Sequence, residues 1–485
     1  MKTVSPNRTH PLGRPAQQLK LNDRHSGLNE TPIARLVKPT SLGVLQRTMQ
    51  DAAITNAAVS VSGGRHAAGG QQFGRGTIAI DCRGMNQVLD LDSERGIVEV
   101  EAGITWPQLV QVLNRVSAND GGGSFGWTIT QKQTGADELT LGGALAANVH
   151  GRGLRRPPIV SDVESFRLMS ADGEIVECSR TENADLFSLA IGGYGLFGIV
   201  CTVKLRLAPR RKLRRVVEVI NADDLGIMFE RRINEGFHYG DFQFKIDHNS
   251  EDFLQRGVFS CYQPVPDDTP IPADGPKLSG EDWKRLIYLA HTDKARAFDL
   301  YAGHYAKTNG RVYWSDEHQF TVYQYGYHRD IDERLKTGTC GGEMITEIYV
   351  PRDRLRTFLA AAADGLRQRG GNVIYGTVRL IERERETFLG WARQDWACVI
   401  FNLCVQHDPA AVAKAKDSFR HLIDLGLAHG GTFYLTYHRW AEREQVEAGY
   451  PQFEDFLRQK ERFDPAGRFQ SDWYRHYREM FALAA

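Results

Sequence analysis

The segment VSVSGGRHAAGGQQFGRGTIAIDCRGMNQVLDLD, residues 59–92, constrains the chain most. Apolar residues alternate on both sides of a glycine cluster, so a strand, a glycine-rich turn and a second strand follow one another closely. Glycines allow backbone N–H groups to approach a ligand and form an anion-binding concavity that a pyrophosphate fits. No helix follows the glycines directly, so the segment lacks the context of a Rossmann fingerprint or a Walker loop. A phosphate-binding turn of another fold is required.

A second glycine cluster, TGADELTLGGALAANVHGRG, runs from Thr134 to Gly153. It reads either as backbone pressed against a flat or phosphorylated ligand or as two adjacent β-bulges. Around these clusters, Val59 to Ser62, Thr77 to Asp81 and Ile97 to Ala102 read as strands. TWPQLVQVLNRV reads as a helix, with Thr105 as cap, Pro107 in the first turn and Leu109, Val110 and Leu113 on one face. DLFSLAIGGYGLFGIVCTVKLRLAP passes from a short helix through glycines into a strand that Pro209 ends. The first half is therefore α+β.

Beyond Arg210 the glycine clusters thin out. RDRLRTFLAAAADGLRQRG and AAVAKAKDSFRHLIDLGLAHGG read as helices, and the strand-like runs MITEIYV and WACVIFNLCVQ precede them. Helices covering one face of an antiparallel sheet give that order. PVPDDTPIPADGP, residues 264–276, reads as a mobile loop.

At 485 residues the chain exceeds one hydrophobic core, which implies two domains. Lys+Arg and Asp+Glu both total 60, so no strong field attracts nucleic acid or an anionic membrane, and a small-molecule partner is favoured. No apolar run approaches the roughly 18 residues of a membrane span. The first thirty residues hold no apolar segment of signal-peptide length and read as a flexible tail. Seven cysteines, without a CxxC pair or zinc spacing, read as reduced thiols in a cytoplasmic protein that binds no metal.

The ordered set SGGRHAAGGQ, IAIDCRGMNQVLDLD, VEVEAGITWPQLVQVL, LTLGGALAANVHGRG, LMSADGEIVECS and GGYGLFGIV resembles the FAD domain of the vanillyl-alcohol oxidase (PCMH-type FAD-binding) superfamily. The C-terminal FDPAGRFQSDWYRHY is similar to the closing segment of that family, which returns to the FAD domain. The resemblance implies a tail over 1–31, an FAD domain over 32–208, a substrate domain over 209–445 and a returning segment over 446–485. It places the FAD pyrophosphate against Ser62, Gly63, Gly64 and Arg65, and implies a covalent bond from His66 to the flavin 8α-methyl carbon, with Gln71 at the spacing of cytokinin dehydrogenases. Arg65 and Ala67 stand where many covalent relatives have Gly and Ser; the alternative is a His66 that only hydrogen-bonds beside the ring. Thr134, Gly135, Leu141, Gly142, Ala146, Val149, His150 and Gly151 are implied along the flavin, and Gly198 and Val200 near its other end.

The later strands resemble the substrate domain of the aldonolactone and alditol oxidase branch, and more faintly that of the flavoprotein that oxidises decaprenylphosphoryl ribose. Glu347, Arg379, Asn402, Tyr434, Tyr437 and His438 are the implied pocket residues: a Glu beside an Arg polarises a hydroxyl, and a Tyr or His takes its proton as hydride leaves for the flavin. The expected activity is FAD-dependent oxidation of a sugar-like or polyol-like alcohol, with oxygen or another acceptor regenerating the flavin. The alternatives are a dehydrogenase of a lipid-linked sugar and a catalytically silent flavin-binding subunit. Tyr437-His438-Arg439-Trp440 replaces the lysine motif usual in that branch, which separates this chain from the known substrates; Arg439 is the candidate substitute for the lysine.

Overall fold

A computed structural model describes residues 19–119, 126–272, 275, 277–321 and 324–482. It is an α+β structure with two halves. Among the described residues no helix is long and apolar enough to cross a membrane.

The N-terminal half holds two main sheets, of three and five strands, besides two short two-stranded pairings. In the smaller, strand Ile78–Asp81 lies between Arg35–Val37 and Val59–Ser62, paired in parallel with both. Helix Leu42–Ile54 connects the outer two. Ser41 caps it by accepting from the Val44 N–H, and Leu45, Met49 and Ala52 recur at helical spacing and are buried. The larger sheet is antiparallel, in the order Ile175–Ser179, Val163–Met169, Ile199–Arg206, Ile97–Glu101, Val88–Asp92. Helix Trp106–Asn119 starts where the capping pattern predicts, with Thr105 bonded through its N–H and hydroxyl to the Gln108 side chain.

The second half is built on an eight-stranded antiparallel sheet: Val312–Trp314, Lys212–Asn221, Arg256–Pro264, Tyr239–Phe244, Val373–Ile381, Trp396–Gln406, Gly341–Pro351, Thr432–Phe433. Helices Leu355–Arg369 and Pro409–Ala428 pack together beside it. The first ends at Gly370, whose φ of 58° favours a residue without Cβ; the second starts at Pro409, capped by the Asp408 carboxylate. Phe358, Leu359, Ala362 and Leu366 bury one helix face completely, and each of the larger three contributes about 1.5–3 kcal/mol.

The C-terminal segment crosses back to the first half. Val59 N–H donates to the Arg468 carbonyl and Gln470 N–H to the Val59 carbonyl, while the Arg468 guanidinium caps the Ala52 and Ala57 carbonyls. The N-terminal segment corrects the sequence reading in part. Residues 1–18 lie outside the described residues, but Lys20–Leu21 pairs with Thr31–Pro32, and Asp23, His25 and Ser26 are buried, so 19–31 is packed chain rather than tail. Asp23 organises it by accepting from the backbone N–H groups of His25 and Ser26. In the proline-rich loop, residues 273, 274 and 276 lie outside the described residues; Asp267 and Thr269 are held by Lys212.

Two other expectations need correction. The second glycine cluster contains a helix, Leu141–Ala147, capped by Thr140, rather than two bulges. The amphipathic helices Gly280–Thr292 and Lys294–Lys307, over the second half of the chain, were not marked by the sequence reading.

Candidate functional site

The first glycine turn is set by what lies behind it. After strand Val59–Ser62, a Cβ on Gly63 would overlap the Thr140 hydroxyl, and one on Gly64 would overlap the Glu138 carbonyl oxygen. Arg65 then takes the left-handed conformation, φ 62°, which turns the chain into His66. On the other side, a Cβ on Gly142 would lie 3.0 Å from the Ala102 Cβ, and one on Gly198, at φ 150°, 2.7 Å from Leu168 and from the Met169 carbonyl. These contacts leave a cradle in which backbone borders open space.

That space is a cavity of about 610 Å³ running from the glycine turns to the eight-stranded sheet, within the range of cofactor sites. Ser62, Gly63, Gly64, Arg65, His66, Gln71, Thr134, Gly135, Gly142, Ala146, Val149, Gly198 and Val200 all line it. Leu141, His150 and Gly151 do not: Leu141 faces the core, Gly151 N–H donates to Gln131, and His150 stands behind the cavity wall. Polar atoms bordering the cavity are buried without protein partners, among them Arg65 Nε, His66 Nε2 and Thr134 Oγ1. A guanidinium N–H beside a glycine turn suits a pyrophosphate, and an elongated cavity suits FAD. The residues present therefore fit the cofactor.

His66 is buried, and its Nδ1 lies 3.0 Å from His25 Nε2. Burial, reinforced by His25 and Arg24, holds its pKa well below the usual value, so the ring is neutral and keeps a lone pair. Gln71 ties this turn to the far side of the cavity by donating to the Leu435 and Tyr437 carbonyls. Arg439 does not replace the missing lysine. Its guanidinium donates to the Gly69 carbonyl at 2.7 Å and lies outside the cavity wall, so it pins the turn from behind.

The other end of the cavity is centred on Glu347, wholly buried on strand Gly341–Pro351. Oε1 accepts from the Tyr437 hydroxyl at 2.7 Å; Oε2 lies 2.9 Å from His150 Nε2 and accepts from the Tyr349 hydroxyl at 2.9 Å. Burial pushes the carboxyl pKa up, but His150 and Tyr437 outweigh it and bring it to about 2. His150 Nδ1 in turn faces the Gly151 carbonyl at 3.0 Å, so both ring nitrogens face acceptors. Tyr434 donates to the Ala147 carbonyl at 2.5 Å. Burial pushes both phenols far above their usual range, Tyr437 also through Glu347 and Tyr434 through Tyr194 and Glu347.

Glu347, Arg379, Asn402, Tyr434 and Tyr437 line the cavity together; His438 does not. It stacks on Trp440 with ring centroids 4.0 Å apart, and burial lowers its pKa to about 4. The expected Glu–Arg pair is also replaced: Glu347 bonds to His150 and the tyrosines, and Arg379 keeps Nε and Nη1 buried without partners. His150, Glu347 and Cys398 each offer a ligand atom within 4.8 Å of one another, but they contact each other and burial keeps the Cys398 thiol protonated. The sequence reading missed Asp241 and Gln243, whose alternation in YGDFQF was its available signal, and the apolar Trp283, Leu286 and Phe298 of the two unmarked helices, which also line the cavity.

A family model described as an FAD binding domain matches residues 33–179. The chain is 31% identical over 173 residues to L-gulonolactone oxidase of Mus musculus, covering 36% of this chain and 37% of that protein. It is 32% identical over 154 residues to L-galactono-1,4-lactone dehydrogenase 2, mitochondrial, of Oryza sativa subsp. japonica, covering 32% and 25%. It is 29% identical over 203 residues to cytokinin dehydrogenase 7 of the same plant, covering 39% and 36%. The matched region spans less than two fifths of the length of each of these relatives. Residues 33–179 are thus an FAD-binding domain of the PCMH type, with the glycine cradle that FAD requires.

Proposed function

We propose that the protein is an FAD-dependent oxidoreductase that oxidises a hydroxyl group of a small sugar-like, lactone-like or polyol-like molecule. The observation that carries this reading is the buried, ionised Glu347 at the substrate end of a cavity whose other end is the FAD cradle. FAD bound there would accept the hydride, and oxygen or another acceptor would take the electrons onward. Glu347 is the hydrogen-bond acceptor that meets a substrate hydroxyl and would receive its proton as hydride leaves the carbon. With its pKa near 2 it stays ionised across the neutral range, so it orients and polarises that hydroxyl at every working pH. Tyr437 and His150 fix the carboxylate. Arg379, with unpartnered N–H groups, is the donor available to a substrate oxygen. Neither Tyr434 nor Tyr437 fits the role of proton acceptor, since each already donates and burial keeps it protonated.

The reading includes a covalent tether at His66, supported by its neutral ring beside the cavity and its unpartnered Nε2. A lipid-linked sugar is a second reading of the substrate, favoured by Trp283, Leu286, Ile287 and Phe298, which give the cavity an apolar wing. Cytoplasmic location is proposed from the seven free cysteines alone. The test is a panel of polyols, aldonolactones, oligosaccharides and aromatic alcohols added anaerobically to the purified yellow protein. Bleaching of the flavin by a hydroxylated compound is expected; bleaching by none of them, with flavin bound, would leave the silent-subunit alternative. Oxygen uptake during turnover separates an oxidase from a dehydrogenase.

A further inference from the structure

Strands Tyr239–Phe244 and Val373–Ile381 run antiparallel side by side, with Phe242 paired to Val378. Side chains alternate across a sheet, so Asp241 and Gln243 on one strand and Thr377 and Arg379 on the other share the face opposite Phe242. Asp241, Gln243 and Arg379 line the cavity. All four are buried, and Asp241 Oδ1, Gln243 Oε1, Thr377 Oγ1 and Arg379 Nε and Nη1 have no hydrogen-bond partner in the protein. Unsatisfied buried polar atoms are rare in folded proteins, and a cluster of them on one cavity wall points to a ligand that completes them.

The polarity of the cluster specifies that ligand. Gln243 Nε2 donates to Asp241 Oδ2 at 2.5 Å, which fixes the amide so that its oxygen is the free end. Arg152 lies 3.6 Å from the same Asp241 oxygen, so the second oxygen, Oδ1, is the one left over. The wall thus offers two acceptors, one carboxylate and one amide, next to the Arg379 guanidinium, which donates twice, and Arg152, whose Nε is also without a partner. A carboxylate or phosphate satisfies Arg379 but meets Asp241 and Gln243 acceptor to acceptor. A hydroxyl donates and accepts at once, and a run of adjacent hydroxyls satisfies Asp241, Gln243 and Arg379 together.

The register places this wall relative to Glu347. Thr377 pairs with Ile400, and Ile400 with Glu347, so two strand spacings, roughly 10 Å, separate the strand of Arg379 from that of Glu347, and Asp241 and Gln243 lie one spacing further. Groups held here and a hydroxyl at Glu347 belong to different parts of one molecule.

We propose that Asp241, Gln243 and Arg379 form a binding subsite for a neutral segment carrying adjacent hydroxyls, remote from the carbon that is oxidised. This deepens and rests on the reading of the cavity as the site of a hydroxylated substrate. The test is binding to the holoprotein, followed by calorimetry and by perturbation of the flavin spectrum. The hexitols sorbitol, mannitol and galactitol are compared with 1,6-hexanediol, which has the same chain length without inner hydroxyls, and with the anion gluconate. At least one hexitol is expected to bind about tenfold or more tighter than both controls. Gln243→Met, which keeps the size of the side chain and removes its free acceptor, and Asp241→Asn, which exchanges one acceptor for a donor, are each expected to reduce that advantage severalfold while leaving hexanediol unchanged. Gluconate binding as tightly as the best hexitol, hexitols failing to bind, or an undiminished advantage in both variants would overturn the proposal. A hexitol that binds through these residues without bleaching the flavin supports the subsite and counts against the oxidation instead.

Discussion

Replacing Gly64 with alanine tests the flavin cradle where backbone stands in the way of a side chain. The added Cβ would lie 2.7 Å from His66 Cδ2, 3.1 Å from Nε2 and closer still to the Glu138 carbonyl oxygen. Comfortable carbon contacts fall at about 3.5–4.0 Å, so the overlap is near 1 Å, and one of the atoms in the way is backbone that a rotamer change cannot clear. Overpacking of this kind costs about 1–3 kcal/mol. Relief comes by moving the turn away from Glu138, which pushes it into the space where the pyrophosphate sits, so the cost falls on cofactor binding. That energy corresponds to a loss of roughly 5- to 150-fold in flavin affinity. The assay is flavin per chain after gel filtration, with FAD affinity from titration of the apoprotein and circular dichroism to verify folding. Gly226→Ala is the control, because nothing lies within 4 Å of its added Cβ in helix Ala222–Asn234. Full flavin content and wild-type affinity in Gly64→Ala would refute the assignment of this turn to the cofactor.

Three further outcomes follow from the same contacts. Glu347 has a folded pKa of about 2 against 4.5 for a free glutamate side chain, so its ionised form contributes about 3 kcal/mol, present above pH 4.5 and lost as pH falls towards 2. Denaturant titrations should show Glu347→Gln lacking that part of the acid slope, and an unchanged slope would contradict the network. After acid precipitation the flavin is expected to stay with the wild-type chain and to be released from His66→Ala; flavin free in the wild-type supernatant would remove the tether. Arg468→Met strips the Ala52 and Ala57 carbonyls of their buried donor and should lower stability by about 1–3 kcal/mol with a fall in the melting temperature, whereas an unchanged melting temperature would show that the returning segment is not held there.

Much of the first half was legible because its signals are local. The turn from Ser62 to His66 is written in consecutive residues, and helix Leu355–Arg369 is bounded by its own apolar period and Gly370. Helix Leu141–Ala147 was hidden because LGGALAA is mostly glycine and alanine, which give no amphipathic stripe. The reading of Tyr434, Tyr437 and His438 as one pocket group went astray at His438 because strand Thr432–Phe433 ends before Tyr434, after which alternation no longer assigns faces. Arg439 was read as a substitute for a lysine, but its partner Gly69 is 370 positions away and no local pattern reveals it. The facing of Asp241 and Gln243 against Thr377 and Arg379 likewise depends on a pairing across more than a hundred residues.

The central claim is that Glu347 works on a substrate hydroxyl beside FAD held by the glycine cradle, and single-turnover anaerobic reduction tests it most directly. With the compound that bleaches the wild-type flavin best, Glu347→Gln is predicted to carry its full complement of FAD and to bleach roughly 100-fold or more slowly. A purified wild-type protein without flavin absorbance, or a Glu347→Gln variant that bleaches at the wild-type rate, would contradict it.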